Sequence, residues 1–322
     1  MLLEIVLLVV GFAALILGAE IFVDSSVGIA RKLKIPNVII GLTVVALGSC
    51  APEVVVSVSA ALSGSTELAV SSAVGSNIFN ILIVLGVCAL VKPIPVNIKE
   101  ILWDFWVLIV AVVILLVMVI TFNDSIPQFG GAILIAALIV YIILLVRYAL
   151  KNKTGITQQD EETEKSGTKS ETKSKPVLLV IFLTILGAGI IIAGGQAVVW
   201  SAVKIASSLG ITERVVGLTV VAFGNSLPEL VTSLIASRKG ENAMALGSMI
   251  GSSIFNILLV LGLAGIVMPL ASGTDVIIDL SVLLVICFVF FLFFNTGRRI
   301  SRLEGLTMVM MYGAYMGYIF FM

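Results

Sequence analysis

The chain has 322 residues, 60% hydrophobic and only 12% charged, with 19 basic side chains against 19 acidic ones and no histidine. A soluble domain runs at roughly 45–50% apolar and 25% charged, so this composition needs lipid as its solvent and defines an integral membrane protein. The missing histidine removes Ser-His and Cys-His hydrolytic pairs and imidazole metal sites, and zero net charge argues against a nucleic-acid partner.

A membrane helix needs about 20 mostly apolar residues, and ten stretches meet that length. In the first half they are Leu2 to Val23, Val38 to Leu62, Leu68 to Val91, Ile101 to Phe122 and Phe129 to Leu150. In the second they are Pro176 to Trp200, Val215 to Ser237, Ala243 to Met268, Val276 to Phe294 and Gly305 to Phe321. The first run has no basic n-region, so it reads as a retained helix and not a removed signal. Cys50, Cys88 and Cys287 lie in apolar stretches without CxxC spacing and read as small apolar filler. Trp103, Trp106 and Trp200 stand near span ends, where indole rings anchor at the interface.

Between the two sets lies a hydrophilic stretch, 151–175, with six lysines against five acids and almost nothing to bury. It is expected to be a flexible linker. The loops after the odd-numbered spans hold 17 of the 19 basic residues, for example Arg31, Lys32 and Lys34 after the first, and only Lys204 and Arg214 fall on the other side. The positive-inside rule then puts both termini outside and the linker in the cytoplasm.

The second half repeats the first. Gly41–Glu53 returns as Gly217–Glu229 with nine of thirteen residues identical, and Gly75–Gly86 returns as Gly251–Gly262 with ten of twelve, both at an offset of 176. Residues 1–150 and 176–322 thus read as two five-span repeats, and an odd span count forces the second to enter the membrane from the opposite side. The expected fold is an all-α integral membrane protein of about ten transmembrane helices in two inverted five-helix repeats. That architecture belongs to transporters, whose sites lie near the midplane between the halves at interrupted helices.

Glu53 and Glu229 fall in the middle of spans 2 and 7, where a carboxylate costs about 2.5–3.5 kcal/mol even on lenient insertion scales. Each follows a proline, which frees a carbonyl four residues earlier, and Gly48 and Gly224 stand just upstream, so local unwinding is expected there. Carbonyls around Ala46 and Ala222, hydroxyls of Ser49, Ser76, Ser226 and Ser252, and amide oxygens of Asn80 and Asn256 can then converge on the two acids. Such an all-oxygen cage suits a hard cation: calcium takes about 6–8 oxygens, and two carboxylates match its charge. Sodium accepts the same oxygens in smaller groups. Glu20, matched by Gln196, and Asp24 lie toward the cytoplasmic end of span 1, where lining a mouth or snorkelling suits them as well as ion binding.

The pattern resembles the sodium/calcium exchanger family of cation/calcium antiporters. That family's two alpha-repeats carry Gly-(Thr/Ser)-Ser-x-Pro-Glu followed by Gly-Ser-Asn-x-x-(Asn/Asp), and versions of both motifs occur in both halves here. The resemblance implies that Glu53 and Glu229 are the central ligands for calcium and sodium. It further implies that Ser49, Asn225 and Ser226 flank them, that Ser76 and Ser252 line outer sodium positions, that Asn80 and Asn256 complete the middle, and that Ala46 and Ala222 supply carbonyls. Cys50 and Asn225 depart from the pattern, and Asn256 stands where potassium-dependent relatives of the family carry aspartate; its neutrality argues against a potassium requirement.

The expected function is secondary active antiport of calcium against sodium by alternating access in a plasma or inner membrane. The expected partners are those ions and the lipid bilayer, with no resident cofactor and no obligate protein partner. A calcium/proton antiporter using the same carboxylates is the alternative. A hydrolase built on Ser226 lacks a nearby base and leaves the duplication unexplained.

Overall fold

The computed structural model describes residues 2–33, 35–151, 176–208, 224, 226–272, 275–297 and 299–321. The expected linker beyond residue 151, the first part of span 7 with Ala222, and Asn225 lie outside them. Long apolar helices dominate: α1 (Leu2–Leu33), α2 (Asn37–Ser49), α3 (Ala51–Leu62), α4 (Thr66–Val91), α5 (Ile98–Thr121) and α6 (Gln128–Lys151). The second half supplies α7 (Val177–Ser208), α8 (Leu227–Arg238), α9 (Asn242–Val267), α10 (Asp275–Gly297) and α11 (Arg302–Phe321).

Among the described residues seven helices are long and apolar enough to cross a membrane, or eight if the bent pair α2 and α3 is one span. The ten-span expectation is therefore matched in part. α8 is described over only 12 residues, and α11 is 20 residues long but opens with Arg302 and Glu304 and is diluted by Gly305, Gly313 and Gly317. The outside of the bundle carries the apolar side chains, Val9, Leu178, Ile185 and Val285 among them, whereas Glu53, Asn77, Asn80, Glu229 and Asn256 are buried inside. That distribution is stable only if hydrocarbon surrounds the helices.

Small residues set the packing, because between helices in lipid close backbone approach replaces the hydrophobic drive. α1 and α7 run antiparallel in close contact along much of their length. A methyl added at Gly11 would sit 3.0 Å from the Gly194 carbonyl oxygen, and one at Gly187 would sit 3.0 Å from that of Gly18. These four glycines are two repeat-related pairs. The same device joins α4 to α11, where Gly86 meets Gly305, and α6 to α9, where Gly131 meets Gly262.

Four two-residue strands tie the halves together. β1 (Ile94–Pro95) follows α4, β2 (Ser125–Ile126) follows α5, β3 (Leu270–Ala271) follows α9, and β4 (Arg299–Ile300) follows α10. β1 pairs antiparallel with β4 in the register Ile94 to Ile300, and β2 with β3 in the register Ser125 to Ala271. β1 and β2 flank the 24-residue α5, which at 1.5 Å per residue separates them by about 36 Å. The ends of the repeat-related helices α4 and α9 consequently lie at opposite ends of the bundle.

Candidate ion site between the repeats

The helix carrying Glu53 is interrupted in an ordered way. Residues Gly41–Val45 form one wide π turn, Ala46–Ser49 return to α geometry, and the axis then bends by 46° on entering α3. The interruption expected between Gly48 and Pro52 falls at Cys50, with φ −77° and ψ −5°. Pro52 occupies the first turn of α3, where its missing N–H removes no helical bond. Pro228 holds the same place in α8, and each proline puts its glutamate in the first turn of a helix, facing the N-terminal dipole.

α4 and α9 complete the site from opposite directions. Each carries a π turn that opens on an asparagine, Asn80–Val84 and Asn256–Val260. A π turn widens the backbone spiral and is frequent at functional sites. Hydropathy carries no trace of these turns.

Glu53 and Glu229 are each 1% exposed and near enough to repel one another electrostatically. Among the described residues no hydrogen bond of good geometry reaches any of their four carboxylate oxygens, either amide atom of Asn80, or the amide oxygen of Asn256, although the Ser49 hydroxyl lies close enough to the Glu229 carboxylate to interact with it. Buried polar atoms are ordinarily satisfied, so these unpartnered oxygens, on helices that pack against one another, are candidates for holding a cation.

The hydroxyls bridge the halves. Ser49 Oγ lies 3.1 Å from Ser252 Oγ, and Ser226 donates to Ser76 Oγ at 3.3 Å. The Ala46 carbonyl is present but engaged, accepting the Ser49 hydroxyl at 3.2 Å and the Cys50 amide at 3.0 Å. The Cys50 thiol points at the Ser252 carbonyl, 3.6 Å away, which keeps its sulfur occupied. Glu20 and Asp24 stand apart from this centre. The Lys239 ammonium contacts the Asp24 carboxylate at 2.6 Å and the Glu20 carbonyl at 3.5 Å, both near the surface.

Sequence reasoning passed over three features. Ser57 and Ser233, one turn beyond Glu53 and Glu229, are buried with unpartnered hydroxyls. Ser26, Ser201, Ser248 and Ser272 are likewise buried and unpartnered among the described residues, whereas Thr232 folds back on the Pro228 carbonyl at 2.7 Å. Asn77, fully buried, joins α4 to α9 by two hydrogen bonds. Asp104 in α5 accepts the Tyr141 hydroxyl of α6 at 2.9 Å, and Asp279 in α10 accepts that of Tyr315 in α11 at 2.9 Å. The serines and the Asp-Tyr pairs recur at or near the repeat offset, the one signal that could have flagged them.

These features define a polytopic helical membrane protein with paired acids buried where its related halves meet. The chain belongs to the sodium/calcium exchanger protein family, whose model matches residues 3–147 and 179–321, and that family is one of transporters. CaxA of Alkalimonas amylolytica is 39% identical over 326 residues, covering 99% of this chain and 98% of its own. The inner membrane protein YrbG of Escherichia coli K12 is 36% identical over 279 residues, covering 84% and 81%. Among solved structures, the sodium-calcium exchanger NCX_Mj superposes with a TM-score of 0.81 at 29% identity over 99% of both chains.

Proposed function

We propose that the protein is a secondary active antiporter exchanging calcium for sodium by alternating access, with the ions held between Glu53 and Glu229. The observation that carries this reading is the pair of buried carboxylates with four unpartnered oxygens. In a membrane interior such a pair is costly alone and is neutralised by one divalent or by monovalent cations. Calcium in the centre draws on both carboxylates and on the Asn80 and Asn256 oxygens. Ser49, Ser76, Ser226, Ser252 and Asn225, with the carbonyls of Ala46 and Ala222, serve sodium at the flanks. Ala46 contributes once Ser49 turns its hydroxyl from the carbonyl to an ion. NCX_Mj, soaked in sodium with calcium or strontium, supports this choice of cargo by analogy.

Exchange follows from electrostatics. Both loads need the same carboxylates and compete, and the doubly charged unloaded centre is too costly to pass the barrier between states. Exchange of several sodium ions for one calcium moves net charge and responds to membrane potential. The antiparallel α1 and α7 and the crosswise strand pairs support two inverted five-span halves, 1–150 and 176–322. The basic-residue count supports outward termini and a cytoplasmic linker, and YrbG's description supports a plasma or inner membrane.

The test is radioactive calcium uptake into sodium-loaded proteoliposomes diluted into sodium-free buffer, with a pH gradient imposed or collapsed separately. Uptake that needs the sodium gradient and ignores pH is the expected result. Uptake that follows the pH gradient alone moves the protein to proton coupling through the same acids.

A further inference from the structure

Resting on that reading, we infer that Asn77 is the positioning residue that holds Asn256 with its amide oxygen, and not its NH2, toward the ions. The chain of polarity is anchored in the backbone. The Ser253 carbonyl can only accept a hydrogen bond, and the Asn77 amide nitrogen donates to it at 3.2 Å. With its NH2 committed, Asn77 turns its oxygen to Asn256, whose amide nitrogen donates to it at 3.2 Å. Only the Asn256 oxygen is then left, and it is buried and has no partner among the described residues. One carbonyl thereby fixes the orientation of two amides in series, as groups behind metal ligands commonly do.

The other half lacks this support. At the position related to Asn77 stands Ser253, whose hydroxyl donates to the Met249 carbonyl of its own helix at 3.0 Å. Asn80, the mate of Asn256, has neither amide atom bonded among the described residues. Asn256 is therefore a fixed oxygen ligand, while Asn80 has no such hold among the described residues. A neutral asparagine serves as a reliable cation ligand at 256 because its orientation is set from behind.

The experiment is a double-mutant cycle on the full chain in detergent: Asn77→Ala, Asn256→Ala and both together. The readouts are the melting temperature without calcium and the calcium concentration giving half-maximal thermal stabilisation. Asn77→Ala is expected to raise the half-saturating calcium about fivefold, the fold-change of one neutral hydrogen bond. In the double variant it should add nothing to the effect of Asn256→Ala, because Asn77 acts through that amide. Asn77→Leu, of similar volume, serves with the same expectation if the alanine variant does not fold. A lower melting temperature with unchanged half-saturating calcium would make Asn77 a mere helix tie and overturn the inference, as would additive effects. A wild-type protein that calcium does not stabilise fails the parent reading instead.

Discussion

Replacing Glu53 by glutamine separates the stability of the ion-free protein from its response to calcium, and the two should move in opposite directions. The side chain keeps its volume and loses its charge. In the ion-free protein, at a pH high enough to ionise both acids, that relieves repulsion from Glu229 and removes a charge with no hydrogen bond of good geometry among the described residues. Relief of an unpaired buried charge is worth about 1–2 kcal/mol after relaxation, so the ion-free variant should melt a few degrees above wild type. At one hundred times its dissociation constant, calcium stabilises the wild type by about 2.7 kcal/mol. Loss of one of two charged ligands should weaken binding by about 3–5 kcal/mol, taking a broken buried charge pair as the guide. That exceeds the ligand contribution, so the calcium-induced shift should vanish at the same concentration. Thermal unfolding in detergent, with calcium or with chelator, reads both arms. A variant that melts below wild type without calcium, or one that keeps the full shift, would refute the reasoning.

Three other substitutions test the frame around the site. Gly187→Val should push α1 from α7, since even a methyl there meets the Gly18 carbonyl at 3.0 Å; a loss of about 1–3 kcal/mol should show as a lower melting temperature and a broadened elution profile. Tyr141→Phe leaves the buried Asp104 without its 2.9 Å donor and should cost about 1–3 kcal/mol, measured by the same melts. Lys239→Ala breaks a pair whose side chains are 32% and 67% exposed, so it should change stability by less than about 1 kcal/mol and lose even that in high salt.

Hydropathy located the helices closely where lipid contact decides them. Span 4 was expected at 101–122 and α5 runs Ile98–Thr121; span 3 was expected from Leu68 to Val91 and α4 runs Thr66–Val91. It failed where a helix leaves the hydrocarbon. α1 continues ten residues past the expected Val23, to Leu33, because helical hydrogen bonds do not require an apolar side chain. The duplication exposed the two glutamates and the two asparagines, since identical polar residues at a fixed offset need a shared purpose. It hid Asn77 for the converse reason: its mate is a serine, and an asymmetric residue leaves no mark in a repeat comparison. The π turns at Asn80 and Asn256 were illegible because they depend on how two helices cross, not on the residues within them.

The crosswise pairing of strands and glycines bears on biogenesis. α4 packs through Gly86 on Gly305 of α11, and β1 pairs with β4 just ahead of that helix. The ribosome makes α11 after all the other helices described. Helices α1–α6 therefore stand in the bilayer with open seams until the later helices arrive, and the seam at Gly86 closes when α11 docks. Each half leaves seams that the other covers. Two separately expressed pieces, cut within 152–175, should find each other in the membrane and reassemble, whereas either piece alone should be cleared by membrane proteases.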